Sequence, residues 1–242
     1  VSEKDIRTLL AKVEAALGAE WVDIAEWLRD QNSVETIEAR LLAGDFAGVV
    51  AEVESAARRF AAETHAQFVR AGQTEARWID GKIEDKLIRF DITNQRAVHA
   101  AQRNELELVH GLGTETRQVT RQAIVDGQRA GLNPRTIARD IRDSLTLTPT
   151  QAQHVANYRR SLEQGDWSNA LGRELRDGRS DRTLRRLRRD GGALTEEQID
   201  HMVDRYRRNY IVYRAETIAR TESARNVHAG LQEAFTQAIE RG

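Results

Sequence analysis

The sequence predicts an all-α protein, a multi-helix antiparallel bundle with one long C-terminal helix. Three observations carry this. Only two prolines, Pro134 and Pro149, occur in 242 residues, and Ala, Arg, Glu and Leu dominate; that composition favours helix over sheet. Apolar side chains recur at a helical period in one segment after another, and no sustained period-two run is bounded by turn residues. Helix-start signals are explicit at Asn133-Pro134, Thr148-Pro149 and Thr195.

The elements follow in order. Residues 2–17 read as an amphipathic helix, with Ile6, Leu9, Leu10, Val13 and Leu17 on one side and Gly18 as its stop. Trp21, Ile24, Ala25 and Leu28 give a second helical face, and Ser33 starts a third segment that ends at Gly44. From Asp45 a longer helix carries Val49, Val53, Ala56, Phe60 and Phe68 to about Ala71. Trp21, Trp27 and Phe60 are expected as core or interface anchors, with a ligand role as the alternative. Residues 74–92 are ambiguous: a helix interrupted by Gly81, or a short strand around Leu87 to Ile92.

A helix from Gln95 to His110 is expected to stop at Gly111 and Gly113, and Thr114 to cap another that ends at Gly131. Asn133 then places a side-chain cap before a proline at the first helical position, where the missing N–H costs nothing. Thr148-Pro149-Thr150-Gln151 repeats the device with a capping box. The pair invites a helix-turn-helix reading, but residues 145–148 contain no tight glycine turn and the second helix has few base-reading residues. After Gly191 and Gly192, Thr195 and Gln198 form a second capping box. Ile199, Met202, Val203, Tyr206, Tyr210 and Tyr213 then recur at a helical period, and no glycine follows until Gly230.

Charge is uneven along the chain. The net formal charge is −1, yet residues 1–90 hold 12 basic and 17 acidic residues and residues 91–242 hold 25 and 21. Of the 37 basic residues only Lys4, Lys12, Lys82 and Lys86 are lysine. Arginine makes forked bonds to phosphate and carboxylate that lysine does not; a GC-rich genome is the plainer cause. The change near residue 90 marks a candidate boundary between an N-terminal helical region, 1–90, and a second region, 91–242.

Cysteine is absent, which excludes disulfides and thiolate metal sites. No apolar run approaches the roughly 20 residues that span a bilayer, and no signal-peptide pattern occurs. The chain begins at Val1 rather than Met, which leaves a processed start and a fragment both open.

Residues 173–190 contain eight arginines and four acidic residues. Leu184 and Leu187 can face a core while Arg182, Arg185, Arg186, Arg188 and Arg189 face outward. That row is the candidate nucleic-acid contact; a solvated face with internal Arg–Asp pairs is the alternative.

No chemistry-bearing motif competes with it. The six histidines offer no pair three or four residues apart, so no helix presents a two-histidine metal face. Asp200, His201 and Asp204 are the nearest cluster, but His201 lies about 100° around the helix from Asp200. No phosphate loop, nucleophile elbow or dinucleotide fingerprint occurs. No catalytic residue, metal or cofactor is assigned.

The stretch from Arg214 to Gly230, RAETIARTESARNVHAG, resembles the C-terminal signature of the phage head morphogenesis family, the minor head proteins similar to the F protein of phage Mu. Residues 132–149, LNPRTIARDIRDSLTLTP, resemble the family's middle, and 90–94, FDITN, its beginning. The three segments stand in the family's order, and the resemblance covers about residues 88–240.

It implies a virion protein of a tailed phage or prophage, a minor capsid protein at the portal vertex or inside the capsid, present in the host cytoplasm during assembly. It implies the portal protein as partner, the major capsid protein as a further one, and non-specific contact with double-stranded DNA during packaging and ejection. It implies no enzyme activity, no small-molecule substrate and no membrane. Arg214, Glu216, Thr217, Arg220, Thr221, Glu222 and Asn226 carry the signature. On a helix they can form a buried polar network docked against residues 133–145, or a surface for a partner. The stripe Tyr206, Tyr210 and Tyr213 is the candidate docking surface, with ordinary core as its alternative. A free helical DNA-binding adaptor is the rival function, and a hydrolase or nuclease using Asp and His a weaker one.

Overall fold

The computed structural model describes residues 3–81 and 89–241. Every regular element in them is helical: α1 (Glu3–Gln31), α2 (Val34–Ala43), α3 (Phe46–Asp80), α4 (Gln95–Arg129), α5 (Pro134–Ser144), α6 (Pro149–Glu163), α7 (Trp167–Leu171), α8 (Asp181–Asp190) and α9 (Glu196–Arg241), with a 3-10 turn at Gly178–Ser180 before α8. The all-α architecture and the long C-terminal helix are as expected. At 46 residues, α9 is roughly 70 Å long at about 1.5 Å per residue. The alternative strand at 87–92 begins outside the described residues; Phe90 to Ile92 are irregular. No described helix is long and apolar enough to cross a membrane.

The cap signals act as their chemistry demands. Ser33, Asn133 and Thr148 each accept the backbone N–H three residues on. The Thr148 and Thr195 boxes are both complete, the Thr195 hydroxyl accepting from Gln198 N at 3.2 Å and the Gln198 amide oxygen from Thr195 N at 3.0 Å. Gly44 closes α2 in the left-handed region, at φ 71°.

Two glycine stops are corrected: α1 runs through Gly18, and α4 through Gly111 and Gly113. The long C-terminal helix α9 likewise continues through Gly230. Thr114 accordingly lies inside α4 and caps nothing. None of Gly18, Gly111 or Gly230 has the positive φ that ends a helix. At Gly230 the residue serves packing instead: a Cβ there would fall against the Phe68 carbonyl oxygen, 3.0 Å from Ala71 Cβ and 3.0 Å from the Gly72 nitrogen. α3 also runs on past Ala71 to Asp80, and α7, capped by Asp166, was not expected.

The chain divides into two compact units that are not consecutive stretches. The first comprises residues 1–24, 54–112 and 215–242, the second 25–53 and 113–214. The composition change near residue 90 falls inside the first.

In the first unit, Val13, Leu17, Trp21, Phe60, Phe68, Ala71, Ala219 and Val227 are buried. Trp21 meets Phe60 edge-on at 5.2 Å between ring centres. The last part of α9 runs antiparallel to α4, with Arg96 reaching Glu240 at 2.6 Å and Asn104 reaching Asn226 at 3.4 Å. It lies alongside α3 in the same direction, Gly230 on Gly72 and Ala238 on Ala76 and Ile79.

In the second unit α2 packs on α5, α5 on α6, α6 on α7 and α7 on α8. Its core joins Leu28, Ile37, Ile141, Leu147, Leu162, Leu184, Val203 and Tyr206. The pair α4 and α5 comes close at Gly127, where a Cβ would stand 2.8 Å from Ile137 Cδ1.

Candidate functional site

The arginine row lies on α8. Leu184 and Leu187 are buried, and Arg182, Arg185, Arg186, Arg188 and Arg189 are all exposed. A helix period of 3.6 puts the two leucines inward and most of the arginines outward. Two of the five are engaged: Arg185 with Asp181 at 3.2 Å and Arg189 with Asp190 at 2.6 Å. Asp181 is held below the usual carboxylate range chiefly by its hydrogen bonds from Arg176, with Arg185 adding to the effect. Arg182, Arg186 and Arg188 make no ion pair among the described residues. These three exposed guanidinium groups are the part of the row open to an anion.

The signature residues divide by exposure. Arg214, Glu222 and Asn226 are buried, while Glu216, Thr217, Arg220 and Thr221 are exposed. In the second unit Arg214 pairs with Glu115 of α4. In the first, Asn226 donates to the Glu222 carbonyl at 2.8 Å and accepts from Asn104 at 3.4 Å, while Arg225 bridges Glu222 at 3.3 Å and Glu107 at 3.5 Å. Burial raises the Glu222 carboxyl above its ordinary pKa, and Glu107 reinforces the rise. Glu222 is therefore bonded within α9, by Arg225 and Asn226, and the reach to α4 is made by Asn226 and Arg225, not to residues 133–145 as expected. Those residues meet the first turns of α9, through Arg139 to Glu196 at 2.7 Å. Exposed Arg220 reaches Glu14 at 3.3 Å.

The tyrosine stripe does not stay together. Tyr206 and Tyr210 are buried, at 1% and 9% exposure, whereas Tyr213 is 55% exposed. Tyr206 packs on Tyr158 with the rings tilted, 4.4 Å between ring centres, and the Tyr210 hydroxyl lies 2.8 Å from His154 Nδ1 and 3.3 Å from the Tyr206 hydroxyl. Burial pushes the Tyr158 phenol up to about 12. The stripe is core at two of its three positions, which removes it as a docking surface.

Asp200 and Asp204 belong to an ion network in the second unit. Arg159 stands between Asp143 at 3.0 Å and Asp200 at 2.6 Å, and Arg29 reaches Asp204 at 2.8 Å. Arg207, 1% exposed, donates to both oxygens of Glu26 at 3.0 Å. Its Nε and Nη1 have no hydrogen-bond partner, and burial lowers its pKa from the ordinary value, with Arg29 adding to the fall. His201 is exposed beside these groups. The two aspartates of the nearest approach to a metal-ligand cluster are already matched by guanidinium groups, which a cation would have to displace.

Reading the sequence for function did not find this network. The signal was a charge inside an apolar stripe. Arg159 follows Val155 by four residues, and Arg207 follows Val203 by four, positions that share a helix face.

No family model, no curated protein and no solved structure matches the chain.

Proposed function

We propose that the chain is a non-enzymatic minor head protein of a tailed phage or prophage. In this reading it is bound near the portal vertex through the portal protein and acts in head assembly or in DNA packaging and delivery. The Arg214–Gly230 signature, with 90–94 and 132–149 before it in the family's order, carries the reading. The split of that signature supports it. Arg214, Glu222 and Asn226 are used inside the protein, while Glu216, Thr217, Arg220 and Thr221 remain presented on α9. Mass spectrometry of purified particles tests it, together with co-sedimentation with heads and pull-down by the portal protein of the same phage. Absence from particles, with no binding to portal, connector or shell, rejects it.

A second reading, a helical adaptor that binds duplex DNA without sequence preference, is favoured by the open guanidinium groups of Arg182, Arg186 and Arg188 on α8. Three phosphate contacts give a log-affinity against log-salt slope of about −2.7. Replacing the three by Gln flattens that slope in a salt-dependent gel-shift series. Unchanged binding by the triple variant removes α8 from the contact.

A further inference from the structure

Within the second unit, α4, α5 and α6 enclose a cleft of about 340 Å³, a volume in the range of binding pockets. Small residues, Ala123, Gly127, Ala152 and Ala156, give it an apolar lining. Asp140 of α5 lies half-buried in the cleft, and its carboxylate accepts no hydrogen bond among the described residues.

Two of the neighbouring cations are committed to other carboxylates, and the third, exposed Arg160 of the lining, meets only an amide. Arg159 holds Asp143 and Asp200, Arg139 holds Glu196 at 2.7 Å, and Arg160 reaches Asn157 at 3.3 Å. Asp126 and Glu163 also line the cleft. Asp126 takes a hydrogen bond from Gln122 at 2.8 Å, and Glu163 stands 3.8 Å from Arg139 and 3.9 Å from Arg159. The cleft thus pairs an apolar lining with an excess of negative charge and one carboxylate that lacks a donor. A half-buried carboxylate without a donor is costly to keep. A long cationic side chain answers both features, its methylenes lying on the apolar lining and its charged end meeting the carboxylate.

We propose that this cleft seats a lysine or arginine side chain of a partner polypeptide, with Asp140 as its counter-ion. The alkyl stem lies on Ala123, Gly127, Ala152 and Ala156. The inference goes beyond the virion reading and does not rest on it.

Amide NMR of the 242-residue chain tests the proposal. The probes are N-acetyl-lysine methylamide, N-acetyl-arginine methylamide, the uncharged N-acetyl-norleucine methylamide, and cadaverine as a free diamine. Saturable shifts confined to residues around 123–127, 140 and 152–156 are expected with one or both cationic amino acids. Norleucine is expected to produce none, and Asp140→Asn to weaken the response by about tenfold or more, as loss of a charge-assisted pair does. A dispersed spectrum for Asp140→Asn shows that it folds; Ala156→Leu, which fills the lining, serves as a second variant and is also expected to abolish the shifts. No saturable response to either cation, an equal response to norleucine, or an undiminished response in both variants overturns the proposal. Cadaverine binding more than about tenfold tighter than either amino acid overturns the assignment to a polypeptide.

Discussion

Arg207 Nη2 donates to both carboxylate oxygens of Glu26, at 3.0 Å each, from a side chain only 1% exposed. The two residues are 181 positions apart in the chain. Removing one member of such a pair strands a buried charge and costs about 3–5 kcal/mol, whereas replacing both by apolar groups is often neutral. Glu26→Leu alone is expected to lower stability by an amount in that range. The double variant Glu26→Leu with Arg207→Leu is expected to recover part of it. Urea denaturation of the four proteins of the cycle measures the coupling; a double variant as unstable as the sum of its singles contradicts this account.

Gly230 and Gly111 make opposite predictions from the same substitution. A methyl at Gly230 meets the Phe68 carbonyl, Ala71 and Gly72, while a methyl at Gly111 meets nothing within 4 Å. Both sit inside helices, where alanine exceeds glycine by about 0.5–1 kcal/mol. Overpacking costs about 1–3 kcal/mol and outweighs that gain at Gly230. Thermal melting of Gly230→Ala should therefore show a lower midpoint, and Gly111→Ala a higher one. A rise in both would mean that α3 and α9 yield easily at the crossing.

Tyr210→Ala should behave as a core truncation, with a loss of about 3–5 kcal/mol, because Tyr210 packs on Tyr206 and His154. Tyr210→Phe keeps the ring and loses only the hydroxyl contacts to His154 and Tyr206, for about 1 kcal/mol. Chemical denaturation separates the two. Full helicity and an unchanged midpoint in Tyr210→Ala, with loss of portal binding, would return this residue to an interface role.

Asp140 gives a pH dependence with a definite sign. Burial raises its folded pKa to about 6; Asp143 and Glu163 add to the rise, and Arg159 and Arg139 oppose it. The unfolded carboxyl ionises near about 3.9. Between about pH 4 and 6 the folded chain holds more protons, so this group's contribution to stability falls as pH rises through that window. Asp140→Asn removes the loss. The variant should melt above wild type at pH 7, with the difference vanishing at pH 4; a constant difference across pH 4 to 8 would assign it to something other than ionisation.

Features set by local chemistry were legible in the sequence. The Asn133-Pro134 and Thr148-Pro149 starts, the Thr195 box and the Gly44 stop involve partners within a few residues, and each formed as its residues dictate. Gly18, Gly111 and Gly113 misled because glycine stops a helix only where the backbone there takes the left-handed conformation. At Gly230 a neighbour 158 positions back, Gly72, supplies a packing reason to continue instead. The outward arginines of α8 were readable from the Leu184 and Leu187 spacing. The helical stripe allowed for a core position at Tyr210, but its partner His154, and the burial of Arg207 against Glu26, were not legible, because no periodicity within α9 names them.

The sheltered cations of the second unit, Arg159, Arg207 and Arg214, are all arginine. A lysine so enclosed could shed its proton and become neutral; a guanidinium does not. The interior positive charge is thus permanent, and among the described residues it is answered most closely by Asp143, Asp200, Glu26 and Glu115. Sequence drift at those acids then has narrow routes: a neutral replacement survives when its arginine is lost with it. Chains descended from this one should keep or lose these pairs as couples, so each pair is a covariation signal that an alignment of relatives would expose even where overall identity has faded.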